Sequence, residues 1–490
     1  MIRAWSTDAV YGAEAALMAT LPEGELMARA VEGLALVAAA RLEERGGTAV
    51  AALIGPGNNG ADALYAVARL ADAGWNAVAL HHDVVHEGAR SAAEAAGVVL
   101  TTDPASVGEA DVVLDGILGI GARPGLPAWA AAWVAAVPDS AHVIAVDLPS
   151  GQDPMGAALD PDGIFADETV TFSVAKPVHL LPPTEQACGI LTVVDIGVEL
   201  TVDPIVLRLD HDDVAALWPV PGPSDDKYSR GVVGVVAGGE AYTGAALLAV
   251  TAAVESGAGM VRYVGTPTPT ALVRAAVPEA VHGPGRVQAW VVGPGLDVAS
   301  TGAQAHDQLE VARSALAGDE PVVVDAGGLD LLDADVVWGR AGRATLLTPH
   351  AGECARLLTR LTDGEVTREQ VEASPVTRAR ALAEATGATV LLKGSTTVVV
   401  GPGEGASAWS QADAPAWLGT AGAGDVLAGL LGMLLAAGLP ADTAGALGAL
   451  VHGVAADRAN PGGPVRALTV AHGIPEAVAH LLGRARPRSS

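Results

Sequence analysis

The chain has 490 residues, enough for two to three domains of about 150 residues each. Apolar residues make up 50% and aromatic ones only 3%, so large cores must be built from Val, Leu, Ile and Ala. A net charge of -28 repels phosphate backbones and excludes nucleic acid as a partner. An anionic nucleotide would need local help from backbone N–H groups, a cation or a placed lysine. Lysine occurs only at Lys176, Lys227 and Lys393. Cys188 and Cys354 lie far apart, which fits a reducing compartment without a disulfide framework. The opening MIRAWSTDAV has no long apolar core and carries acids early, unlike a signal or transit peptide. The longest apolar stretch, 426–439, is about four residues short of a bilayer span. The expectation is a cytoplasmic protein with no membrane partner.

In chain order, residues 23–45 carry Leu26, Ala30, Leu34 and Val37 at helical spacing. TAVAALIG then reads as a buried strand, GPGNNGAD as the loop at its end and ALYAVARLADAG as a helix. WNAVALHH, DVVLDGILG and HVIAVDLPSG follow as strands. This alternation predicts a parallel sheet with helices on both faces and ligands beyond the C-terminal strand ends. Three loops belong there: 55–62, 115–125 and 147–151. The first contains G-x-G-x-x-G, but Pro56 and two asparagines sit inside it and Asp62 stands where a pyrophosphate would lie. Asp83 has about the spacing of a ribose ligand. Oxygens from Asn59, Asp115 and Ser150 would suit a hard, weakly charged cation, and the 119–125 loop with Arg123 would wrap phosphates. Asp147 is then a candidate acid/base, although Asp115 and Asp147 also fit ordinary strand-end acids that cap turns. His81, His82 and His86 are too poorly aligned along a strand to predict a metal site. Prolines and an acidic patch place a boundary near 206–212, giving domains 1–208 and 209–490.

The second half repeats the α/β pattern. GVVGVVAGG, MVRYVGTP, AWVVGPGL, PVVVDAGGL and ATLLTPHAGE read as strands, and TVLLKGSTTVVVG as a strand pair around Lys393. Residues 419–429, GTAGAGDVLAG, join a glycine-rich turn to a helix that starts near Asp425. Such a turn aims backbone N–H groups, and the positive end of a helix, into one small space. An acid there would repel an anion, but makes sense if it takes a proton from a hydroxyl that attacks a phosphorus held in that space. The same residues fit a helix start capped by Asp425. Lys393, Gly394, Ser395, Thr396 and Thr397 offer a charge and hydroxyls to phosphate. His350 also fits a plain loop histidine. No G-x-x-x-x-G-K-[ST] loop is present.

GPGNNGAD, DGILGIG, DLPSGQD and ETVTFSVAKP resemble the motif series of the NAD(P)HX epimerase family, the YjeF N-terminal domain, across most of residues 8–205. That resemblance implies a Rossmann-like three-layer fold and epimerisation of the hydrated nicotinamide ring. It implies substrate contacts from Asn58, Asn59, Gly60, Ala61, Asp62, Gly119, Ile120, Gly121, Ala122, Arg123, Pro124, Gly125 and Asp147. Asp147 would transfer the proton, and Asn59, Asp115 and Ser150 would hold potassium. Ala61 replaces the family's usual glycine, and its methyl would crowd the ligand. Lys176 matches the family too, and otherwise reads as a surface lysine before a proline turn.

YTGAA, VVGPGL, VVVDAGGL, LTPHAGE, LLKGSTT and GTAGAGDVLAG resemble the ADP/ATP-dependent NAD(P)HX dehydratase family over about residues 225–475. The implied fold is a ribokinase-like α/β domain. Ala245, Gly295, His350 and Asp425 would contact the hydrate. Lys393, Gly394, Ser395, Thr396, Thr397 and Gly424 would contact ADP or ATP, with magnesium. Ala351 stands where proline is usual, Asp297 replaces a glycine, and DAGGL lacks a second acid, which would weaken handling of the nucleotide or magnesium. The implied reaction phosphorylates the ring hydroxyl so that it leaves as phosphate, while the first domain converts the other epimer; the family also implies a homo-oligomer. Two other readings stand beside this one. In the first, a small-alcohol or vitamin kinase would accumulate a phosphorylated alcohol. In the second, the first domain is a non-catalytic binding module, as in animal relatives associated with lipoprotein binding.

Overall fold

The computed structural model describes residues 1–82, 85–403 and 405–483. Asp83, a candidate ribose ligand by its spacing, lies outside the described residues. The chain divides into two compact units, Arg3–Val206, and Leu207–Ser490 together with Met1–Ile2. Met1 departs from the expected division because its ammonium group is held by Asp210 and by Asp213, the latter at 2.9 Å.

The first unit is a seven-stranded, wholly parallel sheet. Its order is Val99–Thr101, Asn76–His81, Ala49–Ile54, Val112–Gly116, His142–Val146, Glu168–Phe172 and Ile190–Val194. Successive side chains of a strand point to opposite faces. Val50, Ala52 and Ile54 accordingly join a core under the helices Glu25–Arg45, Asn58–Asp72 and Glu87–Ala95. Ala51 and Leu53 join a second core with Leu80, Val113 and Trp133. The helix after the first strand begins at Asn58, so residues 58–62 form its first turns and only 55–57 are loop. Ala61 is 1% exposed, and its methyl packs into the first core. The methyl group thus faces the core.

The second unit is built on a larger sheet that includes, in order, Ala408–Gln411, Thr397–Val400, Thr389–Leu392, Thr345–Leu347, Val322–Val324, Ala289–Val292, Val232–Val236, Met260–Val264 and Val281–His282. Parallel pairing runs from Thr389–Leu392 through to Val281–His282. The strand pair around Lys393 is antiparallel and is extended by Ala408–Gln411, so this sheet is mixed rather than wholly parallel. The apolar stretch that approached membrane length is the helix Ala423–Ala436, buried over nearly its whole surface in the main core. No helix among the described residues is long and apolar enough to cross a membrane.

Ala61→Gly removes a buried methyl and places glycine in a helix. It should cost about 1–2 kcal/mol of stability and leave first-unit catalysis no faster, as read by thermal melting beside an epimerisation assay.

Candidate active sites

In the first unit the chain runs outward from Ala49–Ile54 through Asn76–His81 to Val99–Thr101, then crosses back to Val112–Gly116 on the other side, so the strand order reverses there. A crevice opens at such a reversal, beyond the C-terminal strand ends. The loops meet there backbone to backbone: a methyl group at Gly55 would lie 1.9 Å from the Ile117 carbonyl oxygen, so only glycine fits. The Asn59 amide donates to the carbonyls of Leu118 (2.7 Å) and Val146 (2.8 Å) and ties three strand ends together. Asp115 is wholly buried and accepts from the Ser150 hydroxyl at 2.6 Å, the Ser150 N–H at 2.8 Å and the Ile117 N–H at 3.2 Å. The Ser150 hydroxyl in turn accepts from the Leu118 N–H at 2.9 Å. The three expected potassium ligands therefore lie in one hydrogen-bonded group. Burial pushes Asp115 up to about 6, and among the described residues no cation pairs with it. An oxygen-only donor set around one uncompensated carboxylate fits a monovalent cation.

Asp147 follows the next strand with its backbone in the left-handed region, φ 66°. For a residue other than glycine this costs of order 1–3 kcal/mol and must be held by its surroundings. Lys176 Nζ donates to Asp147 Oδ1 at 2.5 Å and to the Thr171 hydroxyl at 2.8 Å, and that hydroxyl donates to the same Oδ1 at 2.8 Å. Lys176 is 0% exposed, which overturns its reading as a surface lysine. Burial would raise the Asp147 carboxyl, but the Lys176 charge, the Lys176 hydrogen bond and the lesser contributions of His179 and Thr171 together outweigh it and hold the group below the usual range. Asp62 is the opposite case. Its Oδ1 is buried without a hydrogen-bond partner, and burial, then the charges of Asp147 and Glu14, push it well above the usual value. Glu14 is raised by burial and by Asp147. Tyr11, on the same helix Thr7–Met18, sets its hydroxyl against the loop at Gly121, where an added methyl would lie 2.4 Å away. Arg123, Pro124 and Gly125 are exposed, whereas the Ile120 side chain is buried with Val10, Leu148 and Val178. Ile120 anchors its loop and offers a ligand only backbone.

In the second unit five adjacent parallel strands are followed directly by Ala237, Gly293, Asp325, Thr348 and Lys393. Asp325 is buried and accepts from Lys393 Nζ at 2.7 Å and from the Thr348 hydroxyl at 2.8 Å. Burial opposes the Lys393 charge, but Asp325 and Glu353 outweigh it and hold the ammonium above its usual value. The helix Ala423–Ala436 starts over this pair: a methyl at Gly424 would lie 3.2 Å from Lys393 Nζ and 4.0 Å from Asp325 Oδ2. Asp425, in the first turn, is pushed up to about 7 by burial and by Asp325, with Lys393 opposing. His350 caps the helix Ala351–Leu361. Its Nδ1 accepts from the N–H groups of Gly352 and Glu353, while Glu353 accepts from the His350 N–H at 2.9 Å. The Nε2 of a neutral His350 therefore carries the proton. This histidine-and-glutamate cap starts the helix without the proline expected at 351.

Ala245 and Gly295 touch, since a methyl at Gly295 would lie 2.6 Å from the Ala245 Cβ. Gly394 and Ser395 are exposed, but Thr396 is buried and Thr397 opens a strand, so only part of the expected hydroxyl set faces outward. The acid missing from DAGGL has a packing reason: a methyl at Gly327 would lie 2.1 Å from the Leu296 carbonyl oxygen. The local motifs carried no signal for Glu14, Tyr11 or His179, and ETVTFSVAKP contains Thr171 without singling it out. Nor did they flag His452, whose buried Nε2 lacks a partner and whose ring is pushed down to about 4 by burial and by the Lys393 charge.

Residues 23–178 match the family profile described as YjeF-related protein N-terminus, and residues 233–471 match that described as NAD(P)H-hydrate dehydratase. The chain is 42% identical over 475 residues to the bifunctional NAD(P)H-hydrate repair enzyme Nnr of Mycobacterium leprae, covering 94% of each. The chain belongs to this family of bifunctional NAD(P)H-hydrate repair enzymes. It is 44% identical over 460 residues to the Nnr of Mycobacterium tuberculosis, covering 90% of this chain and 91% of that one. The NAD(P)H-hydrate epimerase of Microbacterium testaceum is 43% identical over 208 residues, 40% of this chain and 80% of that protein. Among solved structures, the ADP/ATP-dependent NAD(P)H-hydrate dehydratase of Bacillus subtilis, co-crystallised with ATP/Mg2+, superimposes with a TM-score of 0.48 at 24% identity, over 56% of this chain and 98% of that one.

Asp425 titrates at about 7 in the folded chain, above the usual 3.8. A group raised on folding stabilises the fold below its unfolded value, and that contribution is lost as pH rises through about 7. Asp425→Asn should therefore melt above the parent, by a margin larger at pH 8 than at pH 5, as scanning calorimetry would read.

Proposed function

We propose that the first unit interconverts the two epimers of hydrated NAD(P)H, and that the second removes water from one of them at the expense of ADP or ATP. The observation that carries this reading is a carboxylate of raised pKa, Asp425, set in the first turn of a helix directly over a lysine–carboxylate pair.

In the second unit hydroxide is a poor leaving group, so the hydrate hydroxyl must first be converted into a better one. Asp425, ionised above about pH 7, takes the hydroxyl proton as oxygen attacks the terminal phosphorus. The N–H groups of 421–424 and the helix dipole stabilise charge on the transferring phosphoryl group. Phosphate then departs as the ring nitrogen pushes in its electron pair, which restores the dihydronicotinamide. His350 Nε2–H is available as a donor to the hydrate, whose ring would pack on Ala245 and Gly295. Lys393, Gly394 and Ser395 would meet the nucleotide. Among the described residues no group of three or more His, Cys, Asp or Glu side chains is placed to hold a metal. Magnesium would enter with the nucleotide phosphates and keep several of its waters.

In the first unit the hydroxyl sits on a ring carbon that is also bonded to nitrogen, so opening and reclosing that carbon–nitrogen bond inverts it. A base takes the hydroxyl proton, the carbon–nitrogen pair returns to nitrogen, and an acid protonates the opened ring. Two carboxyls with opposite environments fit those roles. Asp147 is held ionised, and both hydrogen bonds to its carboxylate end on Oδ1, which leaves Oδ2 for the proton. Asp62 is shifted towards its protonated form by burial and then by the charges of Asp147 and Glu14. The N-terminus of Asn58–Asp72 favours the dinucleotide phosphates. Asn59, Asp115 and Ser150 would hold a potassium ion that supplies positive charge beside the first-unit loops. The buried thiols Cys188 and Cys354 fit a cytoplasmic setting, and a homo-oligomer belongs to the same reading.

With mixed hydrate epimers and ADP, the return of dihydronicotinamide absorbance reports both steps. Asp425→Asn should slow dehydration by about 10²–10⁴-fold and leave epimerisation intact. Asp147→Asn should do the reverse, so that only half of a racemic hydrate recovers quickly. Dehydration near the parent rate in Asp425→Asn would remove Asp425 as the base.

A further inference from the structure

His179 occupies the short helix Pro177–Leu180 and is buried, one residue beyond the segment matched to the YjeF-related profile. Its imidazole joins two main-chain groups. The Lys176 N–H donates to Nδ1 at 3.0 Å, and Nε2 lies 2.8 Å from the Asp147 carbonyl oxygen. A backbone N–H only donates and a carbonyl only accepts. The ring is therefore the neutral tautomer with its proton on Nε2, and both nitrogens are committed. Burial and the neighbouring Lys176 charge keep it uncharged, pushed down to about 4. The two residues it joins are the two whose side chains form the buried ion pair.

The brace acts where the backbone is strained. Asp147 holds φ 66°, and its carbonyl direction depends on what grips it. Its own N–H is fixed to the Val170 carbonyl at 2.8 Å, on the sheet side. The next peptide, which carries the Asp147 carbonyl, is held on its N–H side by the Leu148 N–H on the Val146 carbonyl at 2.8 Å and, among the described residues, on its carbonyl side by the His179 ring. Without the ring that peptide keeps only its N–H anchor, so the carbonyl can tilt about it and Oδ2 moves relative to a bound ring. The imidazole cannot itself carry the substrate's proton, because neither nitrogen is free.

We propose that His179 is a positioning residue of the epimerase site, cross-bracing the backbones of Asp147 and Lys176 so that the Asp147 carboxylate meets the hydrate hydroxyl. This rests on the assignment of proton transfer to Asp147.

The test uses the full chain, in which dehydration by the second unit is an internal control. His179→Leu removes both bonds. Its epimerisation kcat should fall by about 10–100-fold with KM within about threefold, since an ångström of misplacement costs up to about 10² in rate. Dehydration should be unchanged. His179→Gln can accept through Oε1 and donate through Nε2, and should keep kcat within about tenfold of the parent with a superimposable pH profile. A His179→Leu kcat within twofold of the parent overturns the proposal. So does a His179→Gln chain that melts normally yet is as slow as His179→Leu. If His179→Leu fails to fold, His179→Gln decides alone: loss of a pH limb would mean that the ring moves a proton and would overturn the brace. Asp147→Asn separates the two failures, because full epimerisation there refutes the assignment beneath the proposal instead.

Discussion

A lysine ammonium locked onto an aspartate at the end of a parallel strand is the interaction on which both sites depend. In the first unit it is Lys176 on Asp147, and in the second Lys393 on Asp325. The chain carries a net charge of -28 and only three lysines, and two of them are placed in these pairs. Removing two charges from water is expensive, and replacing a buried pair by apolar residues often leaves stability unchanged or better. Such pairs are therefore weak evidence of stability and better evidence of function.

Each pair does similar electrostatic work on a neighbouring acid. Asp147 is held ionised with the help of Lys176, and its negative charge adds to burial in raising the proton affinity of Asp62. Asp325 is bound to Lys393, and its charge adds to burial in raising Asp425 towards neutrality. One carboxyl is thus kept charged while its neighbour is shifted into a range useful for proton transfer. The two units reach this arrangement on different sheets and with different chemistry to perform.

Parallel sheets make the arrangement accessible. All strands of such a run end on one edge, so residues far apart in sequence arrive side by side. Asp325 and Lys393 are separated by 68 positions and are joined by a 2.7 Å bond. Close backbone approach then shapes the crevices: the Ile117 carbonyl admits only glycine at 55, and the Leu296 carbonyl only glycine at 327.

What the sequence determined by itself was what is local. Buried strands such as Ala49–Ile54 and Val232–Val236, their alternation with helices, and the helix that follows Gly422 are set by short-range hydrophobic pattern and glycine placement. The ordered motifs sufficed for the two-part resemblance. The helical state of Asn58–Asp62 was missed because a glycine-rich run reads as loop until the helix behind it is packed. Whether Ala61 faces a ligand or the core depends on the phase of that helix against the sheet, which spacing alone leaves open. Lys176 read as a surface lysine because a proline follows it; only the strand end carrying Asp147 draws it inside. His179, Glu14 and Tyr11 belong to no chemical motif. Their roles arise from tertiary proximity, because a carboxyl's proton affinity and a histidine's tautomer are set by what the fold brings within a few ångströms, and sequence order does not encode that distance.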